Sequence, residues 1–276
     1  MRRCCAFLLG SLTVLAGTTL FGQSFGQRFR SHNLEMSRLQ PALISPLVGS
    51  DPRLLQYVRF SVSHQFSASG AETLNWGNCR GAGVILLRRF ELDWAPPLYL
   101  QHYGRGADGW GDTSALLKVR LASANAESGN FAVSAIAART FATGSHKNGA
   151  LTGSYTPTLA AAWAHQHFDV IASLGATLPA ARVTAQGRTI AWNTTAQLHA
   201  TRALWLELGN NATFYKGGSH DGSLQNFLTP GAFYVLRKNH ASALQPTFIL
   251  DAGMQIATSG FHTYNHNLIT EVRILF

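Results

Sequence analysis

Histidine and serine are the residues of this chain that most readily do chemistry. The chain has 11 histidines, and four of them directly follow a serine, including Ser63-His64 and Ser219-His220. A serine activated by a nearby histidine is the arrangement used in nucleophilic hydrolysis. Neighbours in sequence need not meet in space, and short pairs of this kind arise by chance. We therefore predict no catalytic residue and keep lipid hydrolysis as an alternative.

Metal binding is the second chemistry that histidines suggest. His165 and His167 share a face across one residue, and His262 and His266 lie in the last long connection. No carboxylate or cysteine stands at a spacing typical of a metal site. We expect these histidines to be solvated turn residues, and we predict no metal and no cofactor.

A glycine-rich stretch resembles a phosphate-binding loop only in part. Gly109-Trp110-Gly111-Asp112 lacks the lysine and the following helix that such a loop requires. The stretch therefore predicts a turn that leads into a strand.

Charged side chains are more informative because they stand at alternating positions opposite apolar ones. Charged residues make up only 13% of the chain, about half the usual share. The candidates are Arg59, Arg89, Glu91, Asp93, Lys118, Arg120, Asp169, Glu207, Asp251, Glu271 and Arg273. Such a set can neutralise itself and stiffen a wall, or it can line a path whose charge selects solutes. The sequence leaves both interpretations open.

The last nine residues show what kind of element carries these charges. One face of an extended segment would carry Leu268, Thr270, Val272, Ile274 and Phe276, and the other would carry Glu271 and Arg273. A period of two is that of a strand whose faces meet different media. A strand that ends on an aromatic residue is typical of the closing strand of outer-membrane barrels. We therefore predict that Phe276 is part of the signal read by the barrel-assembly machinery.

Composition and the amino terminus narrow the compartment. Hydrophobic residues make up 46% of the chain, which excludes disorder, and the formal net charge is +9. Lysine and arginine are scattered without a nucleic-acid-binding motif, so we predict no nucleic-acid partner and favour contact with acidic lipid head groups. Arg2-Arg3 before an apolar stretch predicts a signal peptide over residues 1–26, with an anchor helix as the alternative.

Twelve strand-like runs follow an irregular lead-in over residues 27–54. They cover 55–67, 82–94, 97–104, 112–123, 130–142, 155–166, 168–178, 188–200, 203–215, 231–238, 245–257 and 266–276. Short connections alternate with the longer segments 143–154, 179–187 and 216–230, as periplasmic turns alternate with outer loops. Residues 55–276 therefore predict an all-β, antiparallel up-and-down transmembrane β-barrel of about twelve strands, with 10 to 14 possible. Whether the lead-in plugs the lumen is left open.

Several motifs resemble a known family. Asp108 to Thr113, followed by Leu117-Lys118-Val119-Arg120, resembles the turn and strand of bacterial outer-membrane barrels related to a family associated with phenol-degradation gene clusters. Segments 191–194, 226–231 and 263–267 are similar to a branch of these barrels found in soil acidobacteria. The resemblance covers residues 55–276 and implies a transporter without enzymatic activity.

These inferences converge on a hypothesis about function. We expect a porin-like barrel in the outer membrane of a Gram-negative bacterium that passes small, hydrophobic or aromatic solutes. Its expected partners are outer-membrane lipid and lipopolysaccharide, the assembly machinery and a small-molecule solute. The alternatives are a structural or surface-binding barrel with a plugged lumen, and an outer-membrane lipid hydrolase.

Overall fold

An antiparallel β-sheet that closes on itself forms the body of the protein. The structure is a computed structural model, and it describes residues 29–104, 106–236 and 246–276. The first strand pairs with both the second and the last, so these strands leave no free edge. The predicted all-β, up-and-down barrel is confirmed. The predicted signal peptide over 1–26 lies outside the described residues.

Fourteen strand segments build the wall. They are β1 (Tyr57–Phe66), β2 (Glu72–Leu87), β3 (Phe90–Ala95), β4 (Tyr99–Tyr103), β5 (Gly109–Trp110), β6 (Thr113–Ala124), β7 (Phe131–Phe141), β8 (Ser154–His165), β9 (Phe168–Pro179), β10 (Arg188–His199), β11 (Leu204–Lys216), β12 (Leu224–Leu236), β13 (Thr247–Ala257) and β14 (His266–Leu275). β2 pairs with β3 along one half and with β4 along the other, whereas β5 pairs with β4 and β6 with β3. β3 with β4, and β5 with β6, therefore each fill one position, which gives the predicted twelve positions.

Two predicted strands have different bounds in the structure. The prediction of one strand over 82–94 is wrong, because the chain turns at Arg88-Arg89 between β2 and β3. No glycine or proline marks this turn, so the apolar pattern of the sequence gives no sign that the strand ends there. β2 also begins well before residue 82, and β12 begins before residue 231.

A break in the third strand position is closed by an arginine. Pro96 and Pro97 follow β3 and cannot donate a backbone hydrogen bond, so the ladder stops before β4. Arg80 of β2 lies beside this gap, and its guanidinium donates to the carbonyls of Pro96 and Asp112. The side chain of Arg80 therefore supplies hydrogen bonds that the interrupted ladder lacks.

Large apolar side chains cover the outward face of the wall. They include Val58, Phe60, Leu174, Leu206, Leu208, Leu250, Leu268 and Val272. Exposed aromatic side chains lie towards both margins, with Trp76, Trp110 and Tyr155 towards one end and Trp163, Phe168 and Tyr234 towards the other. Such a surface is unfavourable in water and favourable in lipid, and a closed barrel satisfies its backbone internally. The protein is therefore a membrane-spanning barrel with its apolar side outward.

The two ends of the barrel differ in their connections. The terminal end, where β1 begins and β14 ends, carries the turns 88–89, 125–130, 166–167 and 200–203, and the connection 237–246, most of which lies outside the described residues. The opposite end, which we call the loop end, carries the segments 142–153, 180–187, 217–223 and 258–265, each longer than the four turns. Short helical pieces, α2 (Val183–Gln186) and a 3-10 turn (Gly218–His220), lie in two of these loops. In outer-membrane barrels short turns face the periplasm and long loops face outward.

One carboxylate fixes the longest of these loops. Asp112 Oδ1 accepts hydrogen bonds from the N–H groups of Thr143 (3.0 Å) and Gly144 (2.9 Å), and Oδ2 accepts one from Ala150 (2.8 Å). Gly109 leaves room for the same loop, because a Cβ added there would collide with it. The glycine-rich motif therefore positions a loop at the rim of the barrel.

Membrane crossing by a helix finds no support in the described part of the chain, where no helix is long and apolar enough to span a bilayer.

We expect Asp112→Ala to release the loop 142–153. Three N–H groups would lose their acceptor, and each such bond contributes about 1 kcal/mol. Trypsin added at the loop end should then cleave after Lys147 roughly tenfold faster or more, because cleavage follows the population of the opened loop. Asp221→Ala, which removes an acceptor for Gly217 in another loop, is the matched control. Equal cleavage in both variants would contradict the role of Asp112.

Candidate functional site

The chain that precedes the first strand fills the terminal half of the lumen. Residues 29–37 are helical and form α1, and residues 38–56 follow without regular structure. We call residues 29–56 the plug. Its two ends meet Phe276, which contacts the ring of Phe29 and donates its N–H to the carbonyl of Gln56. Its deepest point is Gly49, where an added Cβ would lie 3.3 Å from Cβ of Asn193 in the middle of β10.

Two charged wall residues bind the returning arm of the plug. Lys118 Nζ donates to the carbonyl of Arg53 (2.9 Å) and to Oε1 of Glu91 (2.7 Å). Oε2 of Glu91 accepts a hydrogen bond from the N–H of Leu55. Glu91 and Lys118 are cross-strand partners in β3 and β6, and both are buried. The pair thus neutralises its own charge and satisfies two backbone groups that have no strand partner.

The entering arm is held by the opposite side of the wall. Arg273 of β14 donates to the carbonyls of Ser45 and Pro46. Glu207 of β11 accepts a hydrogen bond from the N–H of Leu47 at 3.1 Å and another from Nε2 of Gln197 at 2.9 Å. Charged side chains of the wall therefore serve the main chain of the plug on both arms.

Leu47 anchors the plug in a socket of the wall. The socket exists because two glycines of the wall have no side chain. Gly231 and Gly253 are register partners on the inward faces of β12 and β13. A Cβ added to Gly231 would overlap Cδ1 of Leu47, and one added to Gly253 would lie 2.6 Å from it. Phe233 and Ile249 complete a buried apolar cluster around Leu47, which is only 1% exposed. Full burial of one leucine contributes about 1.5–3 kcal/mol.

A salt bridge within the plug keeps its tip folded. Arg53 bonds Asp51 through Nε (3.1 Å) and NH2 (2.6 Å) and also donates to the carbonyl of Leu43. Burial raises the pKa of Asp51, but the charge and hydrogen bonds of Arg53 lower it more, so this pKa lies below its usual value. Asp51 is therefore ionised at neutral pH and keeps its salt bridge with Arg53.

Four of the predicted charged residues form one cluster on β1, β13 and β14. Arg59 donates to both carboxylate oxygens of Glu271, at 2.7 and 2.9 Å. Nε of Arg273 lies 2.8 Å from Glu271 and 2.7 Å from Asp251. Both contacts of Nε of Arg273 are ones of charge, because they lack hydrogen-bond geometry. All four residues belong to the wall, so their charges stay paired with one another whether or not the plug is present.

Two further predicted residues face inward but pair elsewhere. Asp93 accepts a hydrogen bond from the hydroxyl of Tyr57 at 3.0 Å. Asp169 Oδ2 lies 2.6 Å from Nε2 of His199, near the terminal end of β9 and β10. The remaining inward carboxylate is that of Glu207, bound to Leu47 as described.

The two remaining predicted residues lie at the margin of the barrel. Arg120 donates to the carbonyl of Arg88 at 2.7 Å and closes the β2–β3 turn from inside. Arg89 is exposed in that turn and does not enter the lumen, because β2 ends at Leu87. Its expected place beside Glu91 assumed a continuous strand.

Above the plug, the lumen is lined by uncharged polar side chains that bond to one another. Asn211 donates to Asn193 at 2.9 Å and accepts from Thr229 at 2.6 Å. On the adjoining strands β13 and β14, Asn267 donates to Gln255 at 3.0 Å. We call Asn193, Asn211, Thr229, Gln255 and Asn267 the amide layer. The lumen is thus ionic at the terminal half and neutral towards the loop end.

A small cavity of about 120 Å³ remains between the plug and the wall. Its charged lining residues are Asp51, Arg59, Asp93, Lys118 and Arg273. A cavity of this size holds several waters or one very small solute. Larger solutes can pass this side of the plug only if it moves.

His64 and His220, the histidines of the two named serine–histidine pairs, pack against aromatic rings. Ser63 is buried in the lumen whereas the ring of His64 lies 4.1 Å from that of Phe66, because neighbours in a strand face opposite sides. His220 packs on Tyr215 with ring centroids 5.7 Å apart. Within residues 29–104, 106–236 and 246–276, no group of three or more metal-ligating side chains comes together.

Sequence reasoning missed the plug as the partner of the wall charges. One signal was present, since Gly231 and Gly253 interrupt otherwise regular strands. An isolated glycine in a strand often marks the close approach of another part of the chain. Nothing local to residues 39–56 identifies the segment that approaches.

One comparison with solved structures bears on the fold. No protein-family model and no curated protein matches this sequence. A NanC porin is 9% identical, with a TM-score of 0.51 over 79% of this chain and 98% of that chain. The outer membrane channel DcaP of Acinetobacter baumannii is 9% identical, with a TM-score of 0.34 over 86% and 100% of the two chains. The TM-score to DcaP is too low to support a conclusion about the fold. The TM-score to NanC shows that this chain has a porin-like barrel fold.

We expect Gly231→Ala to loosen the plug. The new methyl group would occupy the position of Leu47 Cδ1, and overpacking of this kind costs about 1–3 kcal/mol. Cys79 touches the plug, with Sγ 3.9 Å from the carbonyl of Leu47. A water-soluble maleimide should therefore label Cys79 faster in the variant, as located by peptide mass mapping. Gly209→Ala is the matched control, because a Cβ there meets no atom closer than 3.4 Å. Equal labelling of the two variants would contradict the socket.

We expect Arg273→Met to destabilise the folded barrel strongly. Removing the cation leaves Asp251 and Glu271 close together with less compensation, and breaking a buried ion pair costs about 3–5 kcal/mol. The temperature at which the protein loses its heat-modifiable migration on gels should fall by several degrees. Arg139→Met is the control, because Arg139 lies on the outward face over the ring of Tyr155. A smaller effect at residue 273 than at residue 139 would refute this account.

Proposed function

We propose that this protein is a channel in the outer membrane of a Gram-negative bacterium, and that its plug controls the passage of small solutes. The observation that carries the proposal is that three of the wall charges that bind the plug, Glu91, Lys118 and Arg273, are also paired with charges within the wall. When the plug leaves, Lys118 stays paired with Glu91, and Arg273 stays paired with Asp251 and Glu271. The emptied lumen would keep these ion pairs and would be readily filled by water.

The amide layer supports a solute that forms hydrogen bonds. Carboxamide and hydroxyl groups that line a narrow lumen lose hydrogen bonds to water when an apolar solute passes, and such unpaired groups are costly. A polar or amphipathic small molecule replaces those bonds. The hydrophobic or aromatic cargo implied by the family resemblance stays a prediction. Lipopolysaccharide contact and the assembly signal at Phe276 also stay predictions.

A permanently plugged barrel with a structural or surface-binding role is the second candidate. The Leu47 socket supports it, because Leu47 and Phe233 are among the most completely buried side chains described. An apolar cluster opposes release of the plug, whereas the hydrogen bonds of Arg273 and Lys118 can be replaced by water. The two candidates differ in whether the plug ever leaves.

A reversible lock on the plug separates the two candidates. Leu47→Cys together with Gly231→Cys places two thiols at the socket, in a Cys79→Ser background that removes the lumenal native thiol. Single-channel conductance would be recorded in planar bilayers under oxidising conditions and again after reduction. We expect no openings from the oxidised protein and recovery of openings after reduction, because the disulfide fixes the plug in the lumen.

The single variant Leu47→Cys is the matched control and should open under both conditions. Openings that persist with the disulfide formed, as checked by mass spectrometry, would show that the plug does not control the pathway. Absence of conductance from the wild type, from Leu47→Cys and from Gly231→Ala, all folded by heat-modifiable migration, would favour the permanently plugged barrel.

A further inference from the structure

A second cavity lies at the terminal end, outside the ionic part of the lumen. It has a volume of about 380 Å³ and lies between the plug and the inner faces of β11 to β14. Pockets that bind small molecules usually measure about 300–1,000 Å³. We call this cavity the terminal pocket. None of the residues considered above for catalysis or metal binding lines this pocket.

The inner surface of the terminal pocket is apolar although it opens towards water. The wall contributes Trp205, Val235 and Ile249, and the plug contributes Leu34 and Ile44. Leu34 is 45% exposed on α1. Apolar side chains on the lipid face of the barrel need no further explanation. A concave apolar surface at the water-facing end is unfavourable unless something covers it.

The charged side chains around this surface have one sign, although Phe276, whose carboxylate carries a negative charge, also lines it. The charged residues that line the terminal pocket, among those the structure describes, are Arg30, Arg53 and Arg202. Arg53 is engaged by Asp51, whereas Arg202 is exposed in the turn between β10 and β11. Arg202 and Trp205 also border a neighbouring cleft that contains His167 and His199.

Trp205 lies between the terminal pocket and the neighbouring cleft, and contacts with its ring fix its orientation. Its ring stacks on that of His199 with centroids 3.5 Å apart. His199 is in turn fixed by Asp169, 2.6 Å from Nε2. The buried carboxylate of Asp169 therefore orients His199, and His199 orients Trp205. Trp205 also lines the terminal pocket.

We propose that the terminal pocket binds an anionic amphiphile, a small molecule with a carboxylate or comparable anionic head and a short apolar tail. The tail lies against Trp205, Val235 and Ile249, and the head meets Arg202 at the rim. The cationic rim selects against amines and favours an anion over a neutral molecule of the same length. This inference does not depend on channel activity, because it concerns binding and not flux.

The test compares three probes with the same tail. Octanoate, 1-octanol and octyltrimethylammonium would be titrated into the full-length protein in nanodiscs of zwitterionic lipid, with tryptophan fluorescence as the readout. The part of the signal that Trp205→Phe abolishes reports the terminal pocket. We expect octanoate to bind roughly threefold to fivefold more tightly than octanol, as a partly exposed charge contact allows, and the cation to bind most weakly.

Two variants assign the head and the tail separately. Arg202→Gln should remove the preference for octanoate over octanol, whereas Arg188→Gln, at an exposed position at the loop end of β10, should leave it intact. Leu34→Gln should weaken octanoate and octanol alike. Equal affinity for the three probes, an anion preference that survives Arg202→Gln, or a fluorescence change that Trp205→Phe leaves undiminished would each overturn the proposal.

Binding and channel control can fail separately. Octanoate that binds without any effect on conductance would support the terminal pocket and leave the plug proposal to its own test. A second copy of the chain in the pocket would instead give a dimer by size and no saturable probe signal, which would count against the amphiphile.

Discussion

The backbone of the plug sets the main constraint on this structure. A segment without regular structure carries unpaired N–H and carbonyl groups, and burying them unsatisfied is costly. Here the carbonyls of Ser45 and Arg53 and the N–H groups of Leu47 and Leu55 each meet a charged side chain of the wall. The ionic residues of the lumen are therefore placed where the main chain of the plug needs partners.

That constraint explains why the lumen is ionic at one half only. The plug reaches as far as Gly49, and the charged residues of the wall lie beside it on the terminal side. Beyond that depth the residues of the amide layer form side-chain hydrogen bonds with one another. A charge there would have no partner from the plug, and an unpaired charge in a narrow lumen is costly. Both interpretations of the charges from the sequence, neutral network and solute path, are compatible with this arrangement.

The wall obeys the same requirement on its outward side. Lipid offers no hydrogen bonds, so a barrel in a membrane must pair its backbone throughout. Pro96 and Pro97 violate this locally, and Arg80 repairs it with a side chain. Asp112 contributes acceptors at the same place. Its backbone carbonyl accepts a hydrogen bond from Arg80, and its carboxylate accepts hydrogen bonds from N–H groups of the loop. Side chains thus replace the ladder wherever the strand is interrupted.

The amino-acid sequence alone determined the kind of wall and which residues face inward along it. Alternation with a period of two is a local property, so the inward positions of Glu271 and Arg273 in β14 were readable from neighbouring residues. The turn at Arg88-Arg89 was not readable, because an apolar pattern without glycine or proline continues through it. Tertiary structure alone decided that residues 29–56 enter the lumen and that Leu47 meets Gly231. Those contacts join segments far apart in the chain, and no local periodicity encodes which distant backbone a charged side chain will bind.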